Sequence, residues 1–266
     1  MPQGLACRRP DRRTSRLSGA VPAALAALAT LAILLLLAGP AQATNTATIS
    51  STISPDRLGA KGSLTVAIHF AGSELGLPAP LRRAVVRFPA GMTLEVPHLR
   101  SCSSEHLQDL GARECPPQSK LGEGRALVET HPASETIVEN VALSAFLGPP
   151  RHLQPTLELL GEGTTPLAVR MVASGAVLAD RAPYGEKLVI GIPPIPTLPL
   201  EPDASIVDLS LTVGAKRHTG AANAIVVPRR CPAGGFPFAG EFTYADGSSG
   251  GATTTIACPR RNGRAR

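Results

Sequence analysis

Short segments in which apolar and polar residues alternate recur along most of the chain, and they constrain the fold more than any other feature. In GSLTVAIHF, residues 62–70, every second residue from Leu64 to Phe70 is large and apolar. This period of two is typical of a strand with one buried face. With the closing hairpin described below, the pattern predicts about twelve strands. The other segments are TATISSTIS, LRRAVVRFP, GRALVET, TIVENVALSAFL, TLELL, PLAVRMVASGAVL, KLVIGI, SIVDLSLTV and NAIVVP.

The connections between these segments consist of turn residues and not of crossover helices. Gly, Pro, Asp and Ser clusters occupy 54–56, 122–124, 148–150, 161–163 and 246–247. Strands at this density without crossover helices predict an all-β fold, an antiparallel β-sandwich of about twelve strands. One segment, CSSEHLQDLGAREC, predicts a short helix, which Ser103 or Ser104 caps and Gly111 ends.

The chain divides into a leader, a β-rich body and a basic tail. Residues 44–258 are long enough for one large sandwich or two smaller units. The proline-rich stretch 191–203 contains GIPPIPTLPLEP and is a candidate junction between subdomains, extended in polyproline II geometry. Its P-x-x-P spacing is also compatible with a docking motif. The tail 259–266 is arginine-rich, as expected of a solvated terminus or a contact with an acidic surface.

An export signal is predicted at residues 1–43. Five arginines precede a run of Ala, Leu and Ile from Val21 to Ala38, and the small-x-small site Ala41-Gln42-Ala43 follows. We expect cleavage after Ala43, release by the general secretion route, and an extracellular or cell-envelope location without a stable membrane span. The alternative is a retained anchor, because the apolar run approaches the length that spans a bilayer.

The charges outside the two ends are nearly balanced. Of 26 basic residues, five lie in the leader and four in the last seven residues, which leaves 17 against 19 acidic ones. A nucleic-acid-binding protein needs a basic surface and often aromatic platforms. The body offers neither, so we expect no nucleic-acid partner.

Four cysteines lie beyond the leader, which is the number required for two disulfides in an oxidising compartment. Three pairings are open. We favour Cys102 with Cys115 and Cys231 with Cys258, because each pair brackets one compact unit. A zinc site is the alternative, but four-thiolate sites usually bring closely spaced cysteine pairs.

Four of the eight aromatic residues lie between the last two cysteines. Phe236, Phe238, Phe242 and Tyr244 share one face of a predicted strand, and Asp246-Gly247 turns the chain into ATTTIAC. We expect a disulfide-closed hairpin whose aromatic face is core. The alternative is a stripe that stacks on carbohydrate.

CPPQSKLGEGRA and the closing CP-x-GG-F-x-F…FTYADG…CP arrangement are similar to exported β-rich proteins of actinobacteria. The resemblance covers 102–124 and 227–259, with weaker likeness between. It implies export and a sandwich fold, and it brings no catalytic residues.

The candidates for chemistry are weak. Ser249 lies in a G-x-S-x-G pattern, but strand residues follow it where a nucleophile elbow needs a helix. The predicted helix carries Glu105, His106 and Asp109, which are enough to attract a metal but more typical of a solvated face. The histidines lack metal-binding spacing. Three glutamates are candidates for an acid and base pair, although their spacing in the sequence does not show whether they meet in the fold. They are Glu129, Glu139 and Glu158.

These observations favour a noncatalytic structural or binding module. We expect neither a cofactor nor a metal, and the partner would be an envelope polymer or another extracellular protein. The alternative is a secreted hydrolase of esterase or glycosidase type, whose site is assembled only in three dimensions.

Overall fold

The computed structural model describes residues 45–72, 76–96, 99–132, 135–166, 168–197, 200–214 and 224–259. The predicted signal peptide and residues 260–266 of the tail lie outside these ranges. The described part contains one α-helix, α1 (Ser104–Leu110), two 3-10 turns and thirteen strands. The strands are β1 (Thr46–Ser54), β2 (Lys61–Ala71), β3 (Leu81–Pro89), β4 (Thr93–Leu94), β5 (Lys120–Thr130), β6 (Ile137–Arg151), β7 (Gln154–Gly163), β8 (Val169–Ala179), β9 (Tyr184–Gly191), β10 (Ser205–Val213), β11 (Ile225–Val226), β12 (Phe236–Tyr244) and β13 (Ser249–Ile256).

All thirteen strands belong to one antiparallel sheet. Its order is β13-β12-β3-β9-β8-β7-β6-β5-β10-β2-β11-β4, and β1 pairs with β2 along its whole length. The all-β prediction is therefore confirmed. Instead of two separate sheets, one continuous sheet bends round until its opposite parts face each other across a shared core, as the two layers of a sandwich do.

The end strands β1 and β13 lie beside each other, and a polar cluster ties them together. The Asn45 side-chain amide donates to Asp246 Oδ2 at 3.0 Å and to Ser248 Oγ at 2.7 Å. Its Oδ1 accepts from the backbone N–H of Ala79 at 2.8 Å. One side chain thus links the start of β1 to the β12–β13 turn and to the segment before β3.

The closing hairpin places its aromatic side chains in the core, as predicted. Phe236 and Phe238 are 0% exposed, and the Phe242 ring meets that of Phe70 edge to face with centroids 4.9 Å apart. The predicted Cys231–Cys258 bridge joins the two ends of the hairpin with a Cα–Cα separation of 5.8 Å. That separation is ordinary for a disulfide.

The predicted helix packs on the outer face of β6, β7 and β8. Ser103 Oγ accepts from the backbone N–H of His106 at 3.2 Å, and Gly111, with φ 80°, ends the helix. Leu107 is buried against Phe146 and other apolar side chains of that face. The predicted Cys102–Cys115 bridge encloses the helix, with a Cα–Cα separation of 5.6 Å. We name residues 102–115 the helical cover.

The proline-rich stretch 191–203 connects β9 to β10, which belong to the same sheet. Ile195 in this stretch is buried in the main core, and its carbonyl accepts from the backbone N–H of Ala204 at 2.9 Å. This connection therefore packs against the sheet.

Candidate functional site: an apolar cavity inside the sheet

The core contains a cavity of about 190 Å³. Because side chains alternate along a strand, one face of the bent sheet points inward, and β2 through β12 all contribute residues to the lining. Leu143 from β6, Ala173 from β8 and Ile190 from β9 are examples, and each is buried. The space lies between aliphatic and aromatic groups from opposite sides of one sheet.

Three residues with polar side chains, Thr93, Glu139 and Glu186, reach the lining among the described residues. Glu139 precedes Val141 and Leu143 on the inward face of β6, and Glu186 precedes Leu188 and Ile190 on that of β9. Sequence reasoning considered Glu139 without locating it, and it missed both Glu186 and the cavity. The sequence signal that could have found these residues is a glutamate at the same alternating positions as the apolar residues of its strand.

The Glu139 carboxyl group is buried and only partly paired. The residue is 9% exposed, and its Oε1 atom has no hydrogen-bond partner. Burial raises the pKa of Glu139, and a hydrogen bond from the Thr165 backbone partly offsets that rise. A Cβ at Gly163 would lie 2.0 Å from Oε1, so glycine at that position leaves the room that the carboxyl group occupies.

Glu186 lies at the other end of the cavity and cannot form an acid–base pair with Glu139. Glu186 pairs with Ala179 at the end of β8, whereas Glu139 contacts Gly163, which pairs with Val169 at its start. The ten residue steps of β8 from Val169 to Ala179, at about 3.3 Å each, give roughly 33 Å of strand between these positions. Glycosidase carboxyl pairs lie about 5 to 10 Å apart. Burial raises the pKa of Glu186 as well.

The three glutamates singled out from the sequence do not converge. Glu139 faces inward, while Glu129 pairs with Val138 and therefore points to the opposite face of the sheet. Glu158 pairs with Phe146, which packs beneath the helical cover on the outer face. Glu129 and Glu158 share the outer face, but their β6 partners Val138 and Phe146 are eight residues apart, or about 26 Å, so an acid and base pair built from this set is excluded.

The other candidates lie on the surface. Ser249 is the exposed first residue of β13 and pairs with Thr243, so a strand follows it where a nucleophile elbow needs a helix. His106 Nε2 contacts the carbonyl oxygen of Glu114 at 3.1 Å. In the described ranges, no group of three or more His, Cys, Asp or Glu side chains is placed to hold a metal ion.

One histidine–carboxylate pair has the geometry of a catalytic dyad but not its surroundings. His69 Nδ1 lies 2.9 Å from Asp208 Oδ1, and Thr48 pairs with His69 from the other side. The side chains of His69 and Asp208 are 53% and 54% exposed. A nucleophile needs a sheltered pocket and aligned oxyanion donors, and neither accompanies this pair in the part of the chain described.

Searches of protein families, of curated proteins and of solved structures find no match to this chain. Among the described helices, none is long and apolar enough to cross a membrane.

Proposed function

We propose that this protein is an exported, noncatalytic binding module that holds a small apolar molecule inside its sheet. The observation that carries the proposal is the cavity of about 190 Å³ with its almost wholly apolar lining. Binding sites for small molecules are concave and mostly apolar, with a few polar groups that fix orientation. Export rests on the predicted leader, and the two disulfides are compatible with an oxidising compartment.

The size of the cavity indicates the size of the ligand. An engineered cavity of about 150 Å³ lined by Leu, Ile and Phe stays dry and binds benzene. The total volume of about 190 Å³ therefore suits one ring or a short alkyl chain, and its lining extends from Val169 to Val177 along β8. At about 24 cal/mol per Å³, an empty cavity of this volume costs between 4 and 5 kcal/mol. That is a large share of a typical folding free energy, and a ligand that fills the space recovers part of it.

The noncatalytic part of the proposal is supported by the placement of the described reactive groups. The inward carboxyl groups stand at opposite ends of the cavity, Ser249 is exposed on a strand, and the His69–Asp208 pair is open to solvent. The predicted partners, an envelope polymer or another extracellular protein, remain a prediction about the outer surface.

Binding of benzene to the purified protein, followed by calorimetry or by shifts of methyl resonances, tests the proposal. Ala173→Leu places a larger side chain in the cavity, and we expect benzene affinity to fall at least tenfold. We expect stability to hold or rise, because the added group fills a void.

Ala142→Leu is the matched control, since Ala142 is an exposed outward residue of β6. This variant should bind benzene as the native protein does. The proposal is wrong if the native protein binds no apolar probe, or if Ala173→Leu binds as tightly as Ala142→Leu.

A further inference from the structure

We propose that Glu139 receives the hydrogen-bond-donating end of an amphiphilic ligand whose apolar body fills the cavity. This inference rests on the proposed function and adds the chemical class of the ligand, an alcohol or amine on a compact apolar body. The carrying observation is that Glu139 lines the cavity and that its buried Oε1 atom has no hydrogen-bond partner.

An unpaired buried acceptor is costly and therefore uncommon. Leaving one unsatisfied costs about 1 to 3 kcal/mol, and most buried polar atoms in native proteins find a partner. In the described part of the chain, three buried side-chain atoms lack one: Ser51 Oγ, Glu139 Oε1 and the Tyr244 hydroxyl. Of these three residues, only Glu139 lines the cavity.

The described lining near Glu139 supplies no donor for the free oxygen. Its neighbours there, Gly163, Val169 and Met171, carry no polar side-chain donor. The lining's other polar residues, Thr93 and Glu186, lie towards the opposite end, where β3 ends and β9 begins. The missing donor is therefore assigned to a ligand.

The negative charge of the Glu139 carboxylate narrows the chemical class of the ligand further. A hydroxyl or ammonium group donates to a carboxylate oxygen, whereas a second carboxylate would meet repulsion in a space with little water. Alcohols and amines are expected to bind, and acids of the same shape are expected to be rejected.

The test compares benzene, phenol, benzylamine and benzoate as calorimetric probes of the native protein and of Glu139→Met. Phenol should bind the native protein about tenfold more tightly than benzene, since one hydrogen bond to a charged group is worth about that factor. Benzoate should bind weakly. In Glu139→Met the preference should reverse, because the phenol hydroxyl then enters an apolar space without a partner.

Glu186→Met is the matched control, because it makes the same substitution in the same lining at the other end. It should keep the phenol preference. Glu139→Gln provides a second variant that retains an acceptor without the charge, so it should keep phenol binding and lose affinity for benzylamine at least tenfold.

The outcomes separate the two proposals. Equal binding of benzene and phenol by the native protein, or an unchanged preference in Glu139→Met, overturns the role of Glu139 while the cavity proposal stands. Failure of every probe to bind overturns both. If Glu186→Met abolishes the preference for phenol and Glu139→Met retains it, the polar end of the ligand binds at the opposite end of the cavity. The inference about Glu139 would then be wrong.

Discussion

Two buried glutamates on adjacent strands show what distinguishes a structural carboxyl group from a candidate binding group. Glu139 on β6 faces the cavity, and Glu158 on β7 faces outward beside the helical cover. They are 9% and 1% exposed, and burial raises the pKa of both. Neither burial nor the direction of the pKa shift separates them.

Their partners do separate them. Ser174 Oγ donates to Glu158 Oε2, and the charge of Arg151 further favours the ionised form of Glu158. The nearby Thr156 hydroxyl is also paired, donating to the Pro149 carbonyl at 2.8 Å. Glu139 instead lines the cavity and keeps one oxygen without a partner. An unpaired atom that borders a cavity is thus a better indicator of a site than burial alone.

The largest loss of stability is expected from removing the disulfide that closes the helical cover. Replacing Cys102 and Cys115 together by alanine removes a bridge with a sequence separation of 13. The free energy of unfolding should fall by about 3 kcal/mol, mainly because the unfolded chain gains freedom. Urea titration of both proteins measures the change.

Benzene binding provides the control for this variant. The helical cover packs on the outer face only, so the affinity of the cavity should be unchanged once the protein is folded. A variant that loses benzene binding while it remains folded would show that the two regions are coupled, and the comparison would fail.

A smaller effect is expected from the same substitution made at the two glutamates. Glu158→Met leaves the half-buried Ser174 Oγ without its acceptor and should lower the free energy of unfolding by about 2 kcal/mol. Glu139→Met removes an oxygen that has no partner together with the acceptor of the Thr165 backbone hydrogen bond, so the two effects offset and stability should change by less than about 1 kcal/mol. Urea unfolding at pH 7 gives both values. Equal losses at the two positions would contradict the distinction drawn here.

The sequence predicts the strands of this protein better than their partners. The ranges predicted for β1, β3 and β10 coincide with the observed strands, because strict alternation and flanking turn residues are local features. β4 has two residues and leaves no such pattern. The insertion of β10 between β2 and β5 depends on pairing between distant segments, which local periodicity does not specify.

The candidate site was predictable only in part, for a similar reason. The phase of Glu139 with Val141 and Leu143 places a carboxyl group on an apolar face, and this is visible in the sequence. That its oxygen lacks a partner depends on Gly163 and Val169, which reach it only through the pairing of β6 with β7 and β8. Cavities arise from the packing of distant side chains, so composition alone could not indicate this one.

The smallest effect concerns Tyr244, a buried group that lacks a partner but does not line the cavity. Its side chain lies in the main core, and the residue is 2% exposed. Tyr244→Phe should raise the free energy of unfolding at pH 8 by about 1 kcal/mol, because it removes an unpaired hydroxyl. Phenol and benzene binding should not change, unlike in Glu139→Met.

The pH dependence of stability tests the same residue independently. Burial, aided by the charge of Asp246, raises the pKa of Tyr244 to about 12, whereas the unfolded chain releases this proton near pH 10. The folded state therefore binds more protons between these values, and stability falls as the pH rises through that window. At pH 11 the native protein should have lost about 1.4 kcal/mol from this source, and Tyr244→Phe should not show that loss. Tyr184→Phe, which changes the other tyrosine, should retain it; equal alkaline losses in the native protein and Tyr244→Phe would show that the Tyr244 hydroxyl has a partner or reaches water.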